Sequence, residues 1–381
     1  MQSLQIHDAG TVNRERFVMS PGLANQSRVN GSNQTTDPIF IEKEIENIIW
    51  DFVPPFIISI GTLGNVLSLI VLLGKKLRKT TWSLYLIVLA VCDTIVLFTG
   101  LFRQWFWRIT PSSIDVRALS NTGCKIHTFL TYTCTQYSSW ILVALTFERF
   151  VTVYFPLRSK TLCTRKTSIS SLAVFLGLII SLNLHFYWTV NIGKYGCDVY
   201  DHSLFRFMGL IWPWIDLCVT SFLPFIIMLV CNTTIIICLV KERNKRLHLT
   251  KLSEQTTNNL RKTTGATIMF ITVTFTFLVL TCPLAIYLTF WKYWSKGATP
   301  HTKAVLDLAW AIINMLQYTN NGINFYLYCL SGPRFRGELK QLCFARKRNL
   351  HDGRKVDNSK STRSGNRSPT SVTRTTVIRS T

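Results

Sequence analysis

The sequence predicts an all-α membrane protein, a seven-transmembrane helix bundle followed by a short membrane-parallel helix. Three observations lead there. The 381 residues are 48% hydrophobic and 12% aromatic but only 16% charged, too apolar for an ordinary soluble protein, yet both ends are polar. The apolar residues gather into seven runs long enough to span a bilayer, at about 52–74, 82–101, 126–147, 168–190, 208–240, 264–290 and 304–330. The basic residues gather in alternate connections: Lys75, Lys76, Arg78 and Lys79 after the first run, Arg158, Lys160, Arg165 and Lys166 after the third, and Lys241, Arg243, Lys245, Arg246, Lys251, Arg261 and Lys262 after the fifth. Those connections face the cytoplasm by the positive-inside rule, and an odd number of spans puts the C-terminal tail on the same side. The net charge of +23 is therefore explained by topology and anionic lipid, and a nucleic-acid partner is not expected.

The expected organisation is a glycosylated extracellular tail over 1–49, the bundle and membrane-parallel helix over 50–344, and a disordered cytoplasmic tail over 345–381. Asn25, Asn30 and Asn33 each open an acceptor triplet in the N-terminal segment, which agrees with an exterior N-terminus. No charged, apolar, small-residue signal peptide is visible there, so the first span is expected to act as the membrane-targeting element.

Each span carries its own signal. Gly64-Asn65 puts an amide at mid-depth in the first, where it needs a hydrogen-bonding neighbour. Asp93 in the second is a carboxylate near the bilayer centre, costing about 3 kcal/mol on insertion scales, so it should face the interior as an ion or switching site. The third runs uncharged from Ile126 to Phe147 and then places Glu148 beside Arg149. From Cys124 to Arg149 a helix covers about 37 Å, more than the hydrocarbon thickness, so it should be long and tilted. Of eleven cysteines only Cys124 and Cys197 fall in exterior segments, and these two should pair.

The fourth span ends in NLHFYW, and its His185 has no second His or Cys at ligand spacing, which favours an interior hydrogen bond over a metal. The fifth holds Trp212, Trp214 and Asp216 near its outer end and Pro224 at mid-depth; the sixth holds Pro283. Either proline is a pivot or a static kink. Asn314, Gln317, Tyr318, Thr319, Asn320, Asn321 and Asn324 make the seventh span too polar to face lipid, so it should share a polar network with Asp93. Beyond it, SGPRFRGELKQLCF alternates apolar and basic residues as an interfacial helix would, with Cys343 placed for palmitoylation.

Taken in order, these residues resemble the rhodopsin-like (class A) G-protein-coupled receptors over about 50–344. The resemblance rests on Gly64-Asn65, Leu89-Ala90 with Asp93, Cys124 with Cys197, Glu148-Arg149-Phe150 followed by Pro156-Leu157, Pro224, Pro283, Asn324 to Tyr328 (NFYLY) and Phe335. ERFVTVYFPL and INFYLYCLSG are phrased like invertebrate neuropeptide receptors of the FMRFamide and myoinhibitory-peptide kind. Several positions depart from the family pattern. Thr281 replaces the sixth-span tryptophan, Phe325 the seventh-span proline, Phe175 the fourth-span tryptophan, and Asn232 a frequent fifth-span tyrosine.

What the resemblance implies is a plasma-membrane receptor for an extracellular neuropeptide, with no enzymatic activity. It would signal to a heterotrimeric G protein through Glu148, Arg149, Phe150 and Tyr328, with a hinge at Pro224, Phe277 and Pro283. No cofactor is expected apart from a modulatory sodium ion held by Asp93, Ser138, Asn320 and Asn324, and arrestin and receptor kinases would act at the tail. Thr131 stands where amine receptors carry aspartate and Tyr318 where opsins carry lysine, which disfavours amines and retinal. A peptide pocket is expected from Arg103, Gln104, Tyr132, Thr135, Asp216, Trp310, Asn314 and Gln317. Arg103 would pair a ligand acid or carbonyl and Asp216 a ligand arginine; an interfacial anchor or intramolecular pair is the second reading of each. Because the sixth span offers no acid near its inner end, Glu148 and packing should restrain Arg149. The competing classes are a transporter or channel using Asp93, a receptor for a non-peptide ligand, and a non-signalling scaffold.

Overall fold

The computed structural model describes residues 40–110, 115–193, 196–199, 207–247 and 254–342. Helix α1 covers Ile41–Leu72, α2 Thr81–Val96, α3 Arg103–Ile109, α4 Asn121–Tyr154, α5 Pro156–Leu162, α6 Arg165–Asn183 and α7 Phe186–Thr189. Strands β1, Val190–Gly193, and β2, Gly196–Val199, form an antiparallel hairpin that sets Ile192 opposite Cys197. Helices α8, Trp212–Leu217, α9, Leu223–Leu247, α10, Glu254–Ser295, and α11, Pro300–Ser331, follow, and 333–342 is helical after Gly332.

These elements stack into seven helical columns: α1, α2 with α3, α4, α6, α8 with α9, α10, and α11. Within the second and fifth columns the helices join through wide π-type turns at Leu97–Phe102 and Cys218–Phe222, so the axis continues while the facing of the side chains shifts. Helix α4 is central, touching α2, α6, α9 and α10. It starts where Ser120 Oγ accepts the Gly123 N–H at 2.9 Å; α6 and α11 start in the same way on Thr164 and Thr299.

Side chains are distributed the opposite way from a water-soluble protein. Asn65 and Gln136 are 0% exposed and Asp93 1%, whereas Phe52 and Leu178 are each 63% exposed. Polar groups inside and bulky apolar groups outside suit a hydrocarbon solvent, in which polar groups must find partners within the bundle. Five helical stretches among the described residues, Ile41–Leu72, Thr81–Ile109, Arg165–Thr189, Trp212–Glu242 and Thr267–Trp291, are long and apolar enough to cross a membrane. Helices α4 and α11, the columns richest in buried polar side chains, are not among them. Column one meets column seven at Gly61 and Gly322, where a Cβ on Gly61 would stand 2.9 Å from the Gly322 Cα, so only glycine permits the approach.

Boundaries differ from the sequence reading in four places. Helix α1 begins at Ile41, inside the stretch assigned to the tail, and carries Pro54 and Pro55 within it. The second column extends past Leu101 to Ile109, because the wide turn continues the helix. Column four breaks after Asn183 and resumes as Phe186–Thr189, stopping one residue short of Val190, which opens the hairpin. Helix α10 begins at Glu254, ten residues before the apolar run. The acceptor triplets at Asn25, Asn30 and Asn33, Cys343 and the tail over 345–381 lie outside the described residues.

Candidate functional site

The candidate functional side chains collect at three levels along the central column. At one end a disulfide joins Cys124, in the first turn of α4, to Cys197 on β2, with Cα atoms 5.6 Å apart. This fixes the hairpin against α4. Beside it Arg103 Nη1 reaches Asp115 Oδ2 at 3.3 Å, while Arg117 grips the same carboxylate at 2.7 and 3.0 Å. Burial alone would raise the Asp115 carboxyl, but hydrogen bonds and charge from Arg117, with the charge of Arg103, hold it below its ordinary range. Two guanidiniums share one carboxylate, leaving one positive charge in surplus. Gln104 Oε1 and His127 Nδ1 are buried nearby in sequence without hydrogen-bond partners. Arg103 is thus paired within the protein.

Asp216 does the same with neutral partners. Its Oδ1 accepts Gln136 Nε2 at 2.9 Å and Thr220 Oγ1 at 2.8 Å, and Gln136 Oε1 in turn accepts Asn183 Nδ2 at 2.7 Å. A polar chain therefore crosses from column four through column three to column five. Tyr132 packs between Phe186 and Trp212, with ring centroids 4.7 and 5.8 Å away. The remaining expected pocket groups are more dispersed. Thr135 Oγ1 donates to Thr131 O on its own helix, Asn314 Nδ2 to Trp310 O, Trp310 packs on Tyr287, and Gln317 is half-buried.

At mid-depth four columns converge on Asp93. Its Oδ1 accepts Ser138 Oγ at 3.0 Å and Asn321 Nδ2 at 2.9 Å, and Oδ2 accepts Asn324 Nδ2 at 2.8 Å. Asn65 Nδ2 donates to Asn321 O at 3.1 Å, and Asn65 Oδ1 has no partner. This corrects the expectation for Asn320: Asn321, one residue on and 100° around the helix, carries the contact. Among the described residues the carboxylate meets only neutral donors, and no cationic side chain pairs with it. His185 is an interior hydrogen-bonder, its Nδ1 2.9 Å from Leu182 O, and no cluster of three metal-ligating side chains occurs among the described residues.

At the other end Glu148 takes three donors: Thr81 Oγ1 at 2.5 Å and Arg149 Nη2 at 3.0 Å on Oε1, and Ser168 Oγ at 3.2 Å on Oε2. The Arg149 guanidinium carbon lies 4.7 Å from the centroid of the Phe270 ring on α10. Phe150 turns away and stacks on Tyr154, and Tyr328 is buried against Phe335, so neither joins Arg149. Asn232, in the frequent tyrosine position, donates from Nδ2 to Thr274 Oγ1 at 2.7 Å and so ties column five to column six. Near the expected hinge, Thr281 Oγ1 donates to Phe277 O at 2.7 Å, Pro283 lies within α10, and Pro224 is the second residue of α9, just after the wide turn of column five.

Sequence reasoning placed Asn321 in the polar network around Asp93 but not among the ion-site residues, and it missed Gln136, Asn183, Thr81, Ser168 and Phe270. The charge-free polar positions inside spans could have flagged the first two of those missed. Nothing in the sequence separates Phe270, 2% exposed, from Phe275, 62% exposed, five residues along the same apolar run.

Comparison with known proteins agrees with this geometry. The family model for the 7 transmembrane receptor (rhodopsin family) matches residues 64–328. A probable G-protein coupled receptor of Caenorhabditis elegans is 25% identical over 77% of this chain and 68% of its own length. Cysteinyl leukotriene receptor 1 of Sus scrofa is 24% identical over 81% of this chain and 86% of its own. The FMRFamide receptor of Drosophila melanogaster is 23% identical over 76% of this chain, which spans 52% of that longer protein. With a match running from Gly64 beside the buried Asn65 to Tyr328, the chain belongs to the rhodopsin family of seven-transmembrane receptors and is a receptor rather than an enzyme.

Proposed function

We propose that this protein is a plasma-membrane receptor for an extracellular neuropeptide, with all seven columns spanning, the N-terminus outside and the C-terminus in the cytoplasm. The observation that carries the reading is the environment of Arg149: a buried guanidinium held by one neighbouring acid and by the ring of a helix that contains a proline further along. That arrangement has a shut state and an open one. Ligand entering between the disulfide-end helix termini shifts the balance, α10 swings outward about Pro283, and a cleft opens for a heterotrimeric G protein. Arrestin and receptor kinases then act on the cytoplasmic tail. A sodium ion at Asp93 and Ser138, supported by Asn321 and Asn324, supplies a counter-charge that holds the inward-facing network together.

The peptide assignment draws on the charged groups of opposite sign, Arg103 with Arg117 and Asp216, spread across the mouth of the bundle, and on the similarity to a receptor named for FMRFamide. A second reading is favoured by one observation: the surplus guanidinium charge over Asp115 suits an acidic lipid mediator, in line with the similarity to a leukotriene receptor. A calcium and cyclic-AMP reporter screen with amidated neuropeptides in one arm and acidic lipid mediators in the other decides between them. A response confined to the lipid arm would defeat the peptide reading.

A further inference from the structure

We propose that Phe270 and Trp82 form an aromatic clasp that holds the receptor shut, taking the place of an acid on the sixth column. The inference rests on the receptor reading above for its consequence, but the clasp itself stands on geometry. Arg149 is buried, its Nε has no hydrogen-bond partner, and Glu148 is the only carboxylate paired with it among the described residues. Glu148 lies on the same helix, so that pair cannot by itself hold α10. What spans the gap is the Phe270 ring, which offers its negative face to the guanidinium at 4.7 Å. Trp82, in the first turn of α2, meets the same ring nearly edge-on at 5.6 Å and fixes its tilt. Columns two, three and six are thereby joined through one phenyl group.

Two further contacts hold the inner part of α10 on an adjoining face. A Cβ on Gly265 would come within 2.7 Å of Pro333 Cγ, and one on Gly332 within 2.5 Å of Met269 Sδ. The glycines let the inner end of α10 settle against the chain that follows α11. Thr274, one turn beyond Phe270, accepts the bond from Asn232. Residues 265 and 269 thus face the chain after α11, while 270 and 274, further round the helix than 269 by about 100–140°, face Arg149, Trp82 and Asn232; outward movement of α10 must part the ring from Arg149 as well as from Trp82. In water a guanidinium–ring contact is weak, but here both partners are buried and the ring replaces lost hydration.

The test compares wild type with Phe270→Met, which conserves volume but has no ring face, and with Phe270→Leu and Trp82→Leu, all in the full-length receptor at matched surface density. Two quantities are read: ligand-free activation across a panel of G-protein dissociation sensors, and hydrogen–deuterium exchange of the 264–275 segment in purified receptor. The expected result is faster exchange in all three variants and basal activation raised roughly two- to thirty-fold in the two Phe270 variants. Exchange unchanged in Phe270→Met overturns the clasp whatever Phe270→Leu does, because a purely volumetric role predicts that Phe270→Met is silent. Faster exchange with unchanged basal activation supports the clasp and counts instead against the coupling role proposed for Arg149.

Discussion

The disulfide end of the bundle and the Arg149 end are fastened by different forces. At the first, a covalent bond joins α4 to the hairpin, Asp115 is gripped by two arginines, and Glu46 of α1 takes Lys43 at 2.6 Å and Arg108 at 3.4 Å, while Lys43 also reaches Asp307 of α11. At the second, the one ion pair, Arg149 with Glu148, lies within α4, and the specific contacts that reach α9 and α10 are one ring face over Arg149 and one amide–hydroxyl bond from Asn232 to Thr274. The difference teaches where motion belongs. A covalent and multiply charged frame keeps its shape, whereas contacts each amounting to a small energy can be exchanged for a rival set by a modest bias.

The largest expected effect is at the rigid end. Cys197→Ser opens a disulfide that closes 73 residues of chain, a loss of about 2–5 kcal/mol, and surface expression should collapse; near-normal surface density and stability would erase the proposed asymmetry. Next come the charged groups at the mouth of the bundle. Once an agonist is in hand, Arg103→Ala and Asp216→Ala should each lower its potency by roughly ten-fold or more, as expected for removing a partner from a charged contact. Potency unchanged in both would show that these groups serve only the frame.

At the softer end, Glu148→Gln leaves Thr81 and Ser168 a neutral acceptor and removes the charge that orients Arg149, so ligand-free signalling should rise roughly three-fold or more. Equal basal activity at equal surface density would place the restraint elsewhere, in the ring of Phe270. The smallest effect is at the centre. Sodium in place of a large organic cation should raise the unfolding temperature of purified wild type by roughly 2–4 °C, and Asp93→Asn should abolish that shift. A sodium dependence that survives Asp93→Asn would mean that the cation binds somewhere else.

Much of this was legible in the sequence because a bilayer imposes simple rules. Asp93, Asn65 and the asparagines of the seventh span had to face inward, since lipid offers them no hydrogen bond, and each is buried. Cys124 could be assigned to Cys197 because compartment left no other candidate. Asn321 was harder: Asn320 and Asn321 are chemically identical neighbours, and only helix phase relative to Asp93 chooses between them. Phe270 was illegible for the complementary reason. In an apolar solvent a phenylalanine pays no penalty for facing out, so hydrophobicity does not reveal which face is buried.

The sequence by itself determined the helical class, the order of the columns, the disulfide partners and the membership of polar residues in an interior network, because each follows from solvation along a single chain. The tertiary structure alone decided which donors reach Asp93, that Arg103 and Asp216 are already satisfied within the protein, and that a ring stands where an acid might have faced Arg149. Those are distances between columns. They depend on helix phase, wide turns and glycine contacts that residue type does not specify, which is why the third column appears in the sequence as a spanning helix and in the structure as the axis joining all three sites.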